Sequence, residues 1–403
     1  MGPKPQPGPP PGIVYASGRG SNVSDVDGNR YVDLAGGFGA LLLGHSHPSI
    51  RRVLTLQSER LFQALGDVYP ADATIALLER LTKLYPEPAA KGILAQSGSD
   101  AVSAALKTAK LATGKSGVLA FTGAYHGLGY GPLSACGLRE SYRAPFAREL
   151  NSSVEFIPYP GSAEGAAMAQ ELCRTALRRG TVGAILIEPL LGRGGIIMPP
   201  SGLLAALQEQ AREFGALLIA DEIWTGLGRA GAWLSSVASG AIPDLICLGK
   251  GLGGGLPMSA VIGRESVMQS WCREQEVVHT STFAGSPLAA STAIATLDIL
   301  SKEHLPERAI SLGTRYARDL SAALGQLATV REVRGQAFML GIDLGGRPGA
   351  ASRLQRLLLE QGYITSTGGG EREVLVLTPA LNIGESALLG SVAPIAEQAL
   401  RLD

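Results

Sequence analysis

An α/β fold is predicted, with a large domain built on a mostly parallel sheet flanked by helices and a smaller α+β domain beside it. Three observations on the 403-residue chain lead there. First, its length exceeds what one hydrophobic core usually organises, so a large domain with a companion is expected. Second, the middle of the chain repeats a short apolar run, a Gly- or Ser-rich loop and a helical stretch. Alternation of that kind produces a parallel sheet covered by helices. Third, the two ends follow a different rhythm, hairpin first and helix–strand later.

The apolar runs are residues 92–95, 117–121, 184–187, 216–220 and 245–248. Each is continuously apolar and bounded by turn residues, as strands buried on both faces are. Helices are expected between them, for example over 101–112 and 201–214. Residues 19–33 carry an Asp27-Gly28 turn between polar–apolar alternations, a hairpin pattern. Beyond about residue 296 come a helix, the segment VREVRGQAFMLGIDL, another helix and EVLVLTPAL. The expected organisation is a flexible Pro/Gly-rich arm over 1–12 and a large domain over 51–295. A small domain then combines 13–50 with 296–403.

Lys+Arg and Asp+Glu balance at 35 each, which argues against a nucleic-acid footprint and a polybasic membrane anchor. No apolar run is long enough to cross a bilayer, and no signal peptide is visible, so a cytoplasmic protein is expected. The scattered cysteines Cys136, Cys173, Cys247 and Cys272 form no CxxC pair and read as reduced thiols. His45 and His47 lie two apart, but no ligand cluster follows them, and no metal site is expected.

In a parallel sheet, ligands bind beyond the carboxyl ends of the strands, so the residues after each run deserve inspection. After 92–95 comes QSGSD, where Ser99 reads as the N-cap of a helix with Asp100 in its first turn. Such an end offers N–H groups and a positive dipole to a phosphate, although an ordinary capped helix looks the same. After 117–121, GAYHG places an aromatic residue where it can stack on a flat ring or simply join the core. Asp221 follows 216–220, where an unpaired carboxylate would be costly to bury. A protonated pyridine nitrogen would compensate it, as would a helix cap or an ion pair. After 245–248, Lys250 stands between two glycines in GKG, and a lysine in a dry site forms imines with carbonyl compounds. The segment fits neither a Walker A loop nor a dinucleotide fingerprint.

Taken in order, several segments resemble the class-III (ornithine/4-aminobutyrate type) aminotransferases of pyridoxal-phosphate fold type I. They are DVDGNRYVDLAGGFGALLLGHSHP, SGSDAVSAALKTAK, GAYHG, EPLLGRGGIIMPP, LLIADEIWTGLGRAG, PDLICLGKGLGGGLPMSAVIG, HTSTFAGSPLAAS and VREVRGQAFMLGIDL. The resemblance covers nearly the whole chain. It implies pyridoxal 5'-phosphate as cofactor, held by Lys250 as a Schiff base, with Asp221 on the ring nitrogen. It also implies that Tyr125 and Ile223 sandwich the ring and that Gly98 and Ser99 bind the phosphate. His126 and Glu188 would support the site, and Thr282 would reach the phosphate of a neighbouring subunit in a homodimer.

The chain departs from that family where substrates bind. Leu128 and Val376 stand where ornithine-type members carry arginines, and Arg193 replaces a neutralising glutamate. Phe38 replaces a tyrosine and Trp224 a glutamine. The expected activity moves an amino group from an ω-amine or amino acid to a keto acid or aldehyde, with Arg193 on the acceptor's carboxylate. Alternatives are an amino-acid 2-epimerase or aminomutase on the same scaffold, or a cofactor-bound carrier without catalysis.

Overall fold

The computed structural model describes residues 12–66, 68–272 and 277–402, so most of the expected N-terminal arm lies outside the described residues. Seven strands form the large sheet. In spatial order they are Lys91–Ala95, Ser259–Gly263, Leu245–Leu248, Leu217–Asp221, Val182–Ile187, Gly117–Phe121 and Val154–Ile157. All pairings are parallel except the two made by Ser259–Gly263, which runs against Lys91–Ala95 and Leu245–Leu248.

The sheet is therefore mixed. All the apolar runs found in the sequence are strands, within a residue or two at their ends. Two further strands carry weaker signals. Val154–Ile157 lies at an edge and is largely half-buried, so its sequence lacks a continuous apolar run. Ser259–Gly263 is wholly buried, but its apolar run is cut short by a serine and a glycine and follows closely on a Gly-Leu-Pro segment.

Helices cover both faces. Gly98–Thr113 buries Ala101, Val102, Ala104, Ala105, Thr108 and Ala109, a stripe at helical spacing. Its N-cap is Ser97, not Ser99: Ser97 is extended and its side chain accepts the Asp100 N–H at 3.2 Å. Asp100 reaches back to the Gln96 N–H at 3.0 Å, in the manner of a capping box. Ser97 wins because the next residue is already helical, so its hydroxyl is the one within reach of the third N–H. The helix expected over 201–214 is Leu203–Glu213.

The expected N-terminal hairpin pairs Asn22–Asp25 with Arg30–Asp33. Asp25 closes its turn by accepting the Asp27 and Asn29 N–H groups and the Tyr31 hydroxyl. Gly28, at φ +87, takes a backbone conformation that suits glycine. Tyr363–Ile364 adds in parallel to Arg30–Asp33, which ties the N-terminal strands to the C-terminal region. A second four-stranded sheet orders Glu332–Gln336, Met339–Asp343, Val374–Leu377 and Ser366–Gly368, all antiparallel. Leucine-rich contacts from both regions merge in one large core containing Leu34, Leu248, Leu340 and Leu377. No described helix is long and apolar enough to cross a membrane.

Candidate active site

The C-terminal ends of the central strands open onto a cavity of about 480 Å³, a volume suited to a cofactor-sized ligand. Lys250, Asp221, Tyr125, Ile223, Gly98 and Ser99 line it together. They come from four different strand ends, and no two neighbouring segments in the sequence would place them side by side.

Lys250 begins a short 3-10 turn, Lys250–Gly253, immediately after the strand Leu245–Leu248. Its φ of +44 is left-handed, a conformation costing a non-glycine residue roughly 1–2 kcal/mol. Close packing on either side holds it there. A Cβ on Gly249 would meet Ile223 at 3.3 Å, and one on Gly251 would lie 2.3 Å from Leu42. Burial lowers the lysine's pKa to about 8, with Arg193 and Arg229 assisting and Asp221 and Glu188 opposing.

Asp221 ends its strand with one carboxylate oxygen accepting the Ile223 N–H at 3.1 Å. The other lies 2.7 Å from His126 Nδ1. His126 is buried, and its Nε2 has no hydrogen-bond partner among the described residues. Glu188 accepts the Tyr125 N–H at 2.8 Å and the Gly192 N–H at 2.9 Å. Burial raises its pKa, against the influence of His126. It thus pins the aromatic loop and the Gly192 turn to one another.

The helix Gly98–Thr113 points its N-terminus into the same cavity. Gly98 has no room for a side chain, because a Cβ would lie 2.9 Å from Ile223 Cδ1. Ser99 Oγ accepts the Gly129 N–H at 3.0 Å, so its side chain ties the helix start to the aromatic loop. The exposed N–H groups, the dipole and this tight cradle suit a phosphate. An aromatic ring, an apolar side chain, a carboxylate and a lysine lining one cavity beside a helix N-terminus fit pyridoxal phosphate.

Of the substrate-side residues, Leu128, Arg193 and Trp224 line the cavity, whereas Phe38 and Val376 do not. Phe38 sits in a left-handed turn, not a strand, and is 64% exposed. Val376 is fully buried, in one apolar cluster with Trp224, Leu190, Ile196, Met339 and Val374. Thr282 is exposed on a turn outside the cavity, and its carbonyl accepts the Gln63 side-chain amide. The Arg193 guanidinium lies 4.8 Å over the Tyr125 ring and has no carboxylate partner among the described residues. His45, one of the two histidines of GHSHP, is engaged by Asp33 at 2.8 Å.

Several residues that shape the site carried no separate signal in the sequence. Ser259 Oγ donates to the Ser97 carbonyl at 2.6 Å and secures the loop under the phosphate seat. Arg229 is fully buried, donating to the Phe338 and Pro379 carbonyls, and burial lowers its pKa to about 9. Glu222, next to Asp221, is consumed by Ser235, Ser236 and Thr225 and faces away from the cavity. An arginine inside the glycine-rich run TGLGRAG was the one visible hint of this support.

Comparison with known proteins agrees with this geometry. The family model for class-III aminotransferases matches residues 4–397. The acetylornithine aminotransferase of Methanothermobacter thermautotrophicus is 33% identical over 94% of this chain and 92% of its own. A diaminobutyrate–2-oxoglutarate aminotransferase of Rhizobium meliloti is 34% identical over 93% of this chain and 85% of its own. A PLP-bound amine transaminase from an uncultivated Pseudomonas species superposes with a TM-score of 0.88. It is 26% identical, with 96% of this chain and 94% of that one covered. These relatives lend no support to the epimerase or aminomutase alternative. With a matching family model, a matching fold and a cavity that fits the cofactor, the chain belongs to the class-III aminotransferases, pyridoxal-phosphate-dependent enzymes of fold type I.

Proposed function

We propose that this aminotransferase takes nitrogen from the terminal amine of an ω-amine or amino acid and passes it to a keto acid held by Arg193. One observation carries the reading. Arg193 lines the cavity as a cationic group with no acidic partner among the described residues, and Leu128 and Trp224 line the same cavity. A carboxylate is what a guanidinium pairs with most strongly, and the fork geometry favours two parallel bonds. Leu128 and Trp224 give the same cavity apolar surface, which suits an amine without a second charge beside it. Related proteins named for acetylornithine and for diaminobutyrate with 2-oxoglutarate support a terminal-amine donor and a keto-acid acceptor.

When bound, pyridoxal phosphate supplies a carbonyl that receives the amine nitrogen and a ring that accepts electrons. The protein's part follows from its own groups. Lys250 offers an amine that sheds its proton near pH 8 and moves a proton at the substrate carbon. Asp221, steadied by His126, keeps a proton on the ring nitrogen. Tyr125 and Ile223, which line the cavity, would hold the ring and exclude water from it. Gly98 and Ser99 hold the phosphate with backbone N–H groups.

Spectrophotometry of the purified protein tests the whole reading. A near-visible band should appear with cofactor, bleach with a terminal amine alone and return with a keto acid. If no band forms, the reading falls. Arg193→Ala should raise KM for the keto acid about 10- to 100-fold, the loss of a charge-assisted pair, and leave the amine's KM nearly unchanged. An unchanged KM for every keto acid would remove Arg193 from the site.

The active unit proposed is a homodimer in which Thr282 reaches the partner's phosphate. Exposed Phe62, Leu65, Val68, Tyr69 and Phe283 support it, as an apolar surface of that kind marks an association face. Gln63 and Thr74 bond to Thr282 and Gly285, which joins these segments into one surface. Leu65→Asp combined with Tyr69→Asp should give a monomer by light scattering, with cofactor retention reduced. A dimer of unchanged mass would refute the assignment. Four free cysteines, three of them buried, support a reducing compartment such as the cytoplasm.

A further inference from the structure

Among the described residues, the Lys250 amino group makes no hydrogen bond or ion pair; it lies over an aromatic ring. Its Nζ lies 4.3 Å from the centroid of Trp224. The two carboxylates in the vicinity are engaged elsewhere: Asp221 with His126 and the Ile223 N–H, Glu188 with the Tyr125 and Gly192 N–H groups. Arg193 and Arg229 are the other charged groups acting on the lysine, and both repel its proton.

The Trp224 ring is closely packed. It is 7% exposed and packs on Leu190, Ile196, Met339 and Val376. Gly39, at φ +79, lets the backbone come so close that a Cβ there would lie 2.2 Å from the indole Nε1. On the opposite side a Cβ at Gly192 would lie 2.4 Å from Cε3. Gly192 is itself held by Glu188. Two residues without side chains thus form a slot that accepts an indole in one orientation, with one face turned to the lysine.

We propose that Trp224 is a positioning residue for Lys250, whose indole face seats the amino group whenever it is not bonded to the cofactor. A cation over an indole is attracted by the ring quadrupole, most strongly where water is excluded. The seat restrains a side chain with four rotatable bonds and keeps its nitrogen on one line into the cavity. A glutamine or an aliphatic residue at 224 would offer no such face. The proposal rests on the reading of Lys250 as the amine-bearing residue, and the two are separable by experiment.

The test uses cofactor-stripped protein and measures acylation of Lys250 by acetic anhydride across a pH series, read by peptide mass spectrometry. In the wild type, labelling should rise with a midpoint near pH 8, where burial places this amine. Trp224→Leu removes the face that favours the ammonium, so its midpoint should fall by about half a unit to one unit. Trp224→Phe should shift it less than Trp224→Leu does. A Trp224→Leu profile coinciding with the wild type, or a Trp224→Phe shift as large as the leucine one, overturns the proposal.

A second measurement does not depend on variants at 224 being fully native. Protonation of Lys250 should change the indole emission of the wild type with the same midpoint. The step should vanish in Lys250→Ala, which keeps the ring. Its survival in that variant also overturns the proposal. Failure of the cofactor reading looks different: no near-visible band on adding pyridoxal phosphate, with the labelling profile and the emission step both intact.

Discussion

A Lys250→Ala variant is expected to lose transamination by about 10⁴-fold or more while keeping its fold, because one amine serves as both attachment point and proton carrier. The side chain lines a cavity and makes no hydrogen bond or ion pair among the described residues, so the variant's melting temperature should stay near that of the wild type. The protein's pH response should disappear with it. Lys250 acts only after shedding its proton, and burial lowers the pKa from the ordinary 10.5 to about 8. The reactive fraction therefore rises with pH through 8 and is nearly complete a unit above it. At pH 7 about a tenth of the chains carry the free amine, roughly 300-fold more than an unshifted lysine would supply. Cofactor capture by stripped protein, followed as growth of the near-visible band, should accelerate through the same interval. A rate flat between pH 6 and 9, or a variant still turning over, would contradict this account.

Asp221→Asn carries the second large effect. The amide preserves shape and its bond to the Ile223 N–H but removes the negative charge that keeps a proton on the ring nitrogen. Electrostatic stabilisation lost at a dry, pre-organised site typically costs about 10²–10³ in kcat. Binding should suffer less than turnover, because the phosphate seat at Gly98 and Ser99 and the walls Tyr125 and Ile223 are untouched. A secondary shift has a definite sign. Asp221 holds the Lys250 pKa up, so without its charge the lysine deprotonates at lower pH and the midpoint of cofactor capture falls below about 8. Steady-state kcat with saturating substrates, together with that midpoint, checks both parts. A kcat within a few-fold of wild type would show that the ring nitrogen finds its proton elsewhere.

Much of the site was legible because each of its parts sits at the end of an apolar run. Buried strands of a parallel sheet read as short continuous apolar segments, and ligands gather where they end. Lys250, Asp221, Tyr125 and Gly98 could be picked out on that ground alone, without knowing which strand lies beside which. The hairpin at Asp27-Gly28 was equally local, since turn geometry depends on neighbouring residues. Ser97 shows the resolution of such reasoning. Either serine of Ser97-Gly98-Ser99 could cap a helix, and only the backbone conformation of Ser97 selects the first.

Where departures from the family pattern were concerned, substitution identity was a poorer guide than packing. Val376 and Phe38 were expected to line the substrate pocket. Val376 is instead buried in an apolar cluster with Trp224, and a left-handed turn leaves Phe38 exposed.

What the sequence by itself determined is the repertoire: an alternating α/β chain with a lysine, a carboxylate, an aromatic and a phosphate seat, each at a strand end. Those properties depend on hydrophobic period and local turns, which are written within a few residues. Tertiary structure alone decided how the repertoire is assembled. It set Lys250 over the Trp224 ring, Arg193 over Tyr125, Val376 out of reach and Ser259–Gly263 antiparallel among its neighbours. Each of these joins residues tens to hundreds of positions apart. Their relation depends on strand order and on where glycines leave room, and no local pattern in the chain encodes either.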